Sequence, residues 1–219
     1  MIKINDLYFK LKIPKNLQRH MLRVASVGKY ISQNWKENIN EADVIETLLL
    51  HDLGNLLKFD LTKGLDLLDK DERDANYWVQ VQNELKSKYS SDEHKATQMM
   101  AKETGVSERV LFLLNSMGSS NLHKTLKSDD WELKICSYSD FRVSPYGFNT
   151  VEERFKDILQ RYESRDHVLA NKEKTLEKMN YCLELENQLQ THVEVDLQSL
   201  PNKTLEKISQ EMKLWEVSK

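Results

Sequence analysis

Apolar residues recur along this chain at alternating spacings of three and four, the period of one face of an α-helix. In "KNLQRHMLRVASVGKYISQNW" the stripe is Leu17, Met21, Val24, Val27 and Ile31, with His20 beside it. Pro14, just ahead, suits a first helical turn because only an orphan N–H is lost there. The segment "NEADVIETLLLHDLGN" starts at Asn40, a capping residue with Asp43 in reach, and stops at Gly54, so His51 and Asp52 fall in the last turn of a helix. "DANYWVQVQNELKSKY" and "SSDEHKATQMMAKETG" are predicted helices, the second opened by serine and closed by glycine. "SERVLFLLNSMG" repeats that punctuation, and "SMGSSNLHKTLKS" reads as a polar loop. "DDWELKICSYSDFRV" is read as helix, with Asp140 near its end.

Thr150 and Glu153 form a capping box, and one long polar helix is predicted from there to about residue 190. Its stripe runs Val151, Phe155, Ile158, Tyr162, then Leu169, Leu176, Met179 and Leu183. Arg165 and Lys172 at seam positions favour a helix laid along the domain over a dimeric coiled coil. Pro201 separates a last helix ending at Trp215. The expected fold class is all-α: a helical domain over residues 1–165 and a C-terminal helical extension, residues 166–219, packed on it.

Composition agrees. A chain of 219 residues with 3 prolines, 6 glycines and 31% charged residues can bury a sizeable core and suits helices better than a sandwich or barrel. With 32 basic and 35 acidic residues there is no positive excess to draw the chain onto long nucleic acid or an anionic membrane, so any anionic ligand must be held locally. Cys136 and Cys182 lack metal-type spacing, which suggests reduced thiols and a cytoplasmic setting. The N-terminal "MIKINDLYFKLKIPK" lacks the apolar run of a signal peptide, and no stretch reaches the roughly 20 apolar residues of a membrane helix.

One stretch asks for chemistry. In "LLLHDLGNLLKFD" an imidazole and a carboxylate close an apolar run with no cation beside them, so a partner comes from elsewhere in the chain or a metal ion supplies the charge. His20, His51, Asp52 and Asp140 lie on three predicted helices at the edges of apolar stripes. Two imidazoles and two carboxylates suit a divalent ion of intermediate hardness: manganese, iron, cobalt, nickel or zinc. Adjacent helical residues point about 100° apart, so one ion takes both His51 and Asp52 only where the helix end splays, with Gly54 letting the chain turn away. On residue types alone, hydrogen-bonded structural histidines and a chance His-Asp dipeptide account for the same pattern.

The order "RHMLRVA", "LLLHDLGN", "SYSDFRVSP" resembles the HD-domain superfamily of metal-dependent phosphohydrolases. The resemblance spans roughly residues 15–165, including "DEHKA" and "DFRVSPYGFNTVEERF", and looks closest to small stand-alone prokaryotic members. It implies an HD-type helical bundle in which His20, His51, Asp52 and Asp140 bind a divalent metal, with one tight ion per chain expected. It also implies hydrolysis of a small phosphorylated metabolite, a nucleotide first among the candidates. Asp52 and Asp60 would then orient water or protonate the leaving oxygen. Arg23, Lys58 and Arg142 flank the motif segments as cations for the phosphate, with Arg19 behind them. His94 would line the substrate pocket, and His123 would be a solvated surface residue. Asn55 departs from the nucleotidase branch, which carries an acid at that position, whereas Asp60 is retained. The acidic pair of the guanosine tetraphosphate hydrolases and the GYP signature of the cyclic di-nucleotide branch are missing. A regulatory or binding module holding a metal or nucleotide is the alternative class, and two-iron oxygenase chemistry a smaller third. A homodimer is compatible with the sequence.

Overall fold

Side chains written into the chain start most of its helices. In the computed structural model, which describes residues 1–61, 65, 68–162 and 171–217, Asn40 accepts the Asp43 N–H to open α3 (Glu41–Leu50). Asp74 does so for α4 (Ala75–Lys88), Asp92 for α5 (Glu93–Thr104) and Ser107 for α6 (Glu108–Ser116). Asp130 opens α8 (Trp131–Phe141) and Asn171 opens α10 (Lys172–Gln190). The capping box at α9 (Val151–Tyr162) is complete: Thr150 Oγ1 accepts from the Glu153 N–H, and Glu153 Oε2 accepts from the Thr150 N–H at 2.8 Å. Each such cap is worth about 1 kcal/mol. For α5 the capping residue is Asp92, not the expected serine, and Gly105 closes the helix at φ 81°.

The fold is all-α, as expected. Around the capped helices stand α1 (Ile4–Lys10), α2 (Lys15–Gln33), α7 (Leu122–Lys127) and α11 (Asn202–Met212), with short 3-10 turns at Asn55–Lys58 and Lys70–Glu72. Strands among the described residues are two residues long: β1 (Ile2–Lys3) pairs antiparallel with β4 (Glu216–Val217), and β2 (Val143–Ser144) with β3 (Gly147–Phe148).

The predicted stripe of α2 is the centre of the core, with Met21, Val24, Val27 and Ile31 fully buried. Helix α3 lies along it, and α8 and α11 pack on its other sides. Because α3 has no continuous polar face, it is buried nearly all round, through Val44, Ile45, Leu48, Leu49 and Leu50. Helix α10 covers α7, α8 and α9.

Three expectations change. The single helix to residue 190 is two helices, α9 and α10, that pack against each other; Arg165 and Leu169 of its stripe lie outside the described residues. One straight rod could not seat Phe155 on Phe141 and also bury Cys182, Leu185 and Leu189 against α8. The expected polar loop holds α7, whose Leu122, Thr125 and Leu126 are buried at helical spacing. The last helix ends at Met212, three residues before Trp215, as the chain turns to reach β1. Among the described residues no helix is long and apolar enough to cross a membrane.

Candidate metal centre

Since α3 and α8 both pack on α2, the end of α3 and the end of α8 meet beside His20. His51 is the C-cap of α3, and its ring is fixed by a hydrogen bond from Nδ1–H to the Leu48 carbonyl at 2.7 Å. That bond fixes the ring and turns Nε2 toward the other three side chains. His20 Nε2 lies 3.1 Å from Asp140 Oδ1 and 3.7 Å from Asp52 Oδ2. His51 Nε2 lies 3.8 Å from Asp52 Oδ2 and 3.5 Å from Asp140 Oδ1.

His20, His51 and Asp52 bring ligand atoms within 4.8 Å of one another, a group that could hold a metal ion. Asp140 is not one of that group, though its Oδ1 lies 3.1 Å from His20 Nε2 and 3.5 Å from His51 Nε2. Ligand atoms bound about 2.0–2.2 Å from one ion stand about 3–3.5 Å apart, close to the separations here. The strongest test of fit is His51 Nε2, which is buried and among the described residues makes no hydrogen bond, with Asp140 Oδ1 3.5 Å away. A buried nitrogen left orphaned is costly unless a ligand satisfies it.

The electrostatics agree with a cation-seeking site. Burial works to raise the Asp140 carboxyl, but the close approach and charge of His20 and His51 outweigh it and hold the group well below the usual carboxylate range. Burial likewise pulls the His51 imidazole down, yet the charges of Asp52 and Asp140 push it up to about 9. Two carboxylates facing two imidazoles thus draw in positive charge, as a proton or as a metal.

The turn after His51 is shaped by α5. Gly54 has an ordinary φ of −85°, so it is not needed for freedom to turn. It is needed for close approach: a Cβ there would sit 2.3 Å from the Glu93 carbonyl oxygen, and the Gly54 N–H donates to Thr97 Oγ1 at 2.9 Å. Asn55 donates through Nδ2 to Asp52 Oδ2 at 2.8 Å and so orients that carboxylate.

The expected cations separate. Arg23 pairs through Nε with Glu206 of α11 at 3.2 Å, and its guanidinium lies 6.0 Å from the Phe148 ring centroid. Lys58 pairs with Glu93 at 3.0 Å at the protein surface. Arg19 is tied by two hydrogen bonds of 2.6 Å to Asp69. Arg142 is a correction: it points inward, is 3% exposed, and donates to the carbonyls of Asn149 and Leu197 and to the Tyr138 hydroxyl, with Glu186 at 3.4 Å. It holds α8 to the C-terminal extension and has no face for a substrate. His94 is also corrected, since it stands on the surface, 73% exposed and 3.3 Å from Glu93, instead of lining a pocket. His123 is exposed as expected, though on α7, with its ring 5.4 Å from that of Tyr181. Asp60 is exposed just past the 3-10 turn that follows the His-Asp pair.

One residue escaped the sequence reading. Arg154 falls between Val151 and Ile158 on the buried stripe of α9, and its side chain is 15% exposed. A cation inside an apolar stripe was the available signal. The stack of Phe155 on Phe141, with centroids 5.3 Å apart and planes 9° from parallel, docks this part of α9 beside Asp140. Comparison with protein-family models, with curated proteins and with solved structures finds no match to the chain.

Proposed function

We propose that the protein is a metal-dependent phosphohydrolase of the HD kind that acts on a small phosphorylated metabolite, with a nucleotide the first candidate. His20, His51, Asp52 and Asp140 would hold one divalent transition metal per chain. The observation that carries this reading is the buried Nε2 of His51, which makes no hydrogen bond among the described residues and is held in place among three other donor side chains. A divalent ion bound there supplies Lewis acidity toward a phosphoryl oxygen and toward water.

The chain's own residues supply the rest. Asn55 engages only Oδ2 of Asp52, which leaves the second carboxylate oxygen to orient an attacking water and accept its proton. Arg23 and Lys58 are each paired with a partly exposed carboxylate that an incoming phosphate displaces. Asp60, exposed at the end of its turn, delivers a proton to the leaving oxygen.

Elemental analysis of purified wild type and Asp52→Ala, with a phosphate-release panel in manganese, cobalt, nickel and magnesium, tests the proposal. Wild type should carry one transition metal per chain and release phosphate; the variant should lose both and keep its helical circular dichroism. Equal metal in the two proteins would sink the site. Metal binding with no phosphate released from any compound, but a higher Tm with a nucleotide, would replace the enzyme by the binding module.

A further inference from the structure

A buried guanidinium needs partners, because taking its charge out of water is expensive. Arg154 has few. Nη1 donates to Asp157 Oδ2 at 3.0 Å, and among the described residues that is its one hydrogen bond. Asp157 is already claimed by Arg161, whose Nε reaches both carboxylate oxygens at 2.9 and 3.0 Å and whose Nη2 reaches one at 2.7 Å. Arg154 Nε is buried and has no hydrogen-bond partner among the described residues. The shared carboxylate therefore orients Arg154 without satisfying it.

Its position gives the unused donors a purpose. Burial pushes the guanidinium down, and the foremost charge acting in the opposite sense is Asp140, ahead of its own ion-pair partner Asp157. Yet Asp140 is hydrogen-bonded to His20 and makes no bond to Arg154. A divalent ion held by two carboxylates and two neutral imidazoles has its charge balanced at the centre. Arg154 then stands beside a neutral centre as surplus positive charge, and an anion is what completes it.

Resting on the phosphohydrolase reading, we infer that Arg154 binds the phosphoryl group of the substrate at the metal centre, oriented by Asp157 and Arg161, and that this group is a terminal phosphate. The guanidinium edge left by Asp157 has the planar fork that takes two phosphoryl oxygens side by side. With a third oxygen on the ion, a group with three non-bridging oxygens meets both partners without sharing one between them. A phosphomonoester has three, and a diester has two.

The test uses the full-length, manganese-loaded protein with inorganic phosphate as the calorimetric probe, and phenyl phosphate and diphenyl phosphate as substrates. Arg154→Gln should bind phosphate about tenfold to a hundredfold more weakly than wild type with its metal content unchanged. Arg154→Lys, which keeps the charge but not the fork, should recover part of the loss and keeps the test open if the glutamine variant does not fold. Wild type should hydrolyse the monoester in preference to the diester. Equal phosphate affinity in wild type and a folded, metal-loaded Arg154 variant overturns the assignment, and faster diester hydrolysis overturns the substrate class. If loaded wild type binds no phosphate and hydrolyses neither ester, the phosphohydrolase reading has failed and this assignment goes with it.

Discussion

At the scale of single residues, His51 holds a proton that a metal bound as proposed would displace. Its imidazole is pushed up to about 9 in the metal-free protein, against an ordinary value of 6.5, because the charges of Asp52 and Asp140 overcome burial. The sign follows from that direction. The raised value stabilises the metal-free fold fully below about 6.5, and this contribution is lost as pH rises through about 9. Metal uptake requires the neutral ring, so affinity should rise about tenfold per pH unit while His51 is protonated and level off above its titration. Calorimetric titrations with zinc at two pH values one unit apart check this, together with the protons released; a pH-independent Kd would contradict it. The grouping of His20, His51 and Asp52 was legible in the sequence because residue type and order suggest a donor set without any geometry. Arg142 was not, since the Leu197 carbonyl and the Glu186 carboxylate that consume its donors arrive from a segment far along the chain. Its nearness to Asp140 in sequence was a poor guide to where its guanidinium points.

Elements were legible where their causes are local. The caps of α3, α6 and α9 are side chains bonding backbone three residues away, so they can be read from neighbouring letters. The reversal between α9 and α10 and the presence of α7 answer to packing against distant helices, and a local pattern does not contain them. The contact between α5 and the turn after His51 belongs with these, and it makes a sharp prediction. Gly54→Ala places a methyl 2.3 Å from the Glu93 carbonyl oxygen and 2.9 Å from Thr97 Oγ1, against the backbone and first turns of a helix that cannot rotate aside. The expected cost is about 1–3 kcal/mol of stability from overpacking. Metal affinity should fall too, because Asp52 and Asn55 flank the displaced segment. Urea unfolding and metal titration of the variant check both, and wild-type behaviour in either would show that α5 yields more easily than its contacts imply.

For the whole molecule, the question is whether the C-terminal extension is an attachment or a part of the fold. The stretch that resembles HD hydrolases ends near residue 165, but the core does not. Leu205, Ile208 and Met212 of α11 are buried and α11 lies on α2, the helix that carries His20. From α10, Glu186 accepts from the Tyr138 hydroxyl at 2.5 Å and faces Arg142, and these two residues stand on either side of Asp140 in the chain. Even the chain ends are joined, through the pairing of Ile2 with Val217. Removing one partner of a buried ion pair costs about 3–5 kcal/mol. Exposing each large apolar side chain that α11 covers or contributes costs about 1.5–3 kcal/mol more. Together these are comparable to the roughly 5–15 kcal/mol by which a typical domain is stable. Residues 1–165 produced alone should therefore lack near-ultraviolet circular dichroism, unfold without a cooperative urea transition, and bind no metal tightly, since α2 and α8 would no longer hold His20 and Asp140 in register. A cooperative transition in that fragment, with zinc bound as in the full chain, would show instead that the metal centre is built by the N-terminal helices alone and that the extension only shields it.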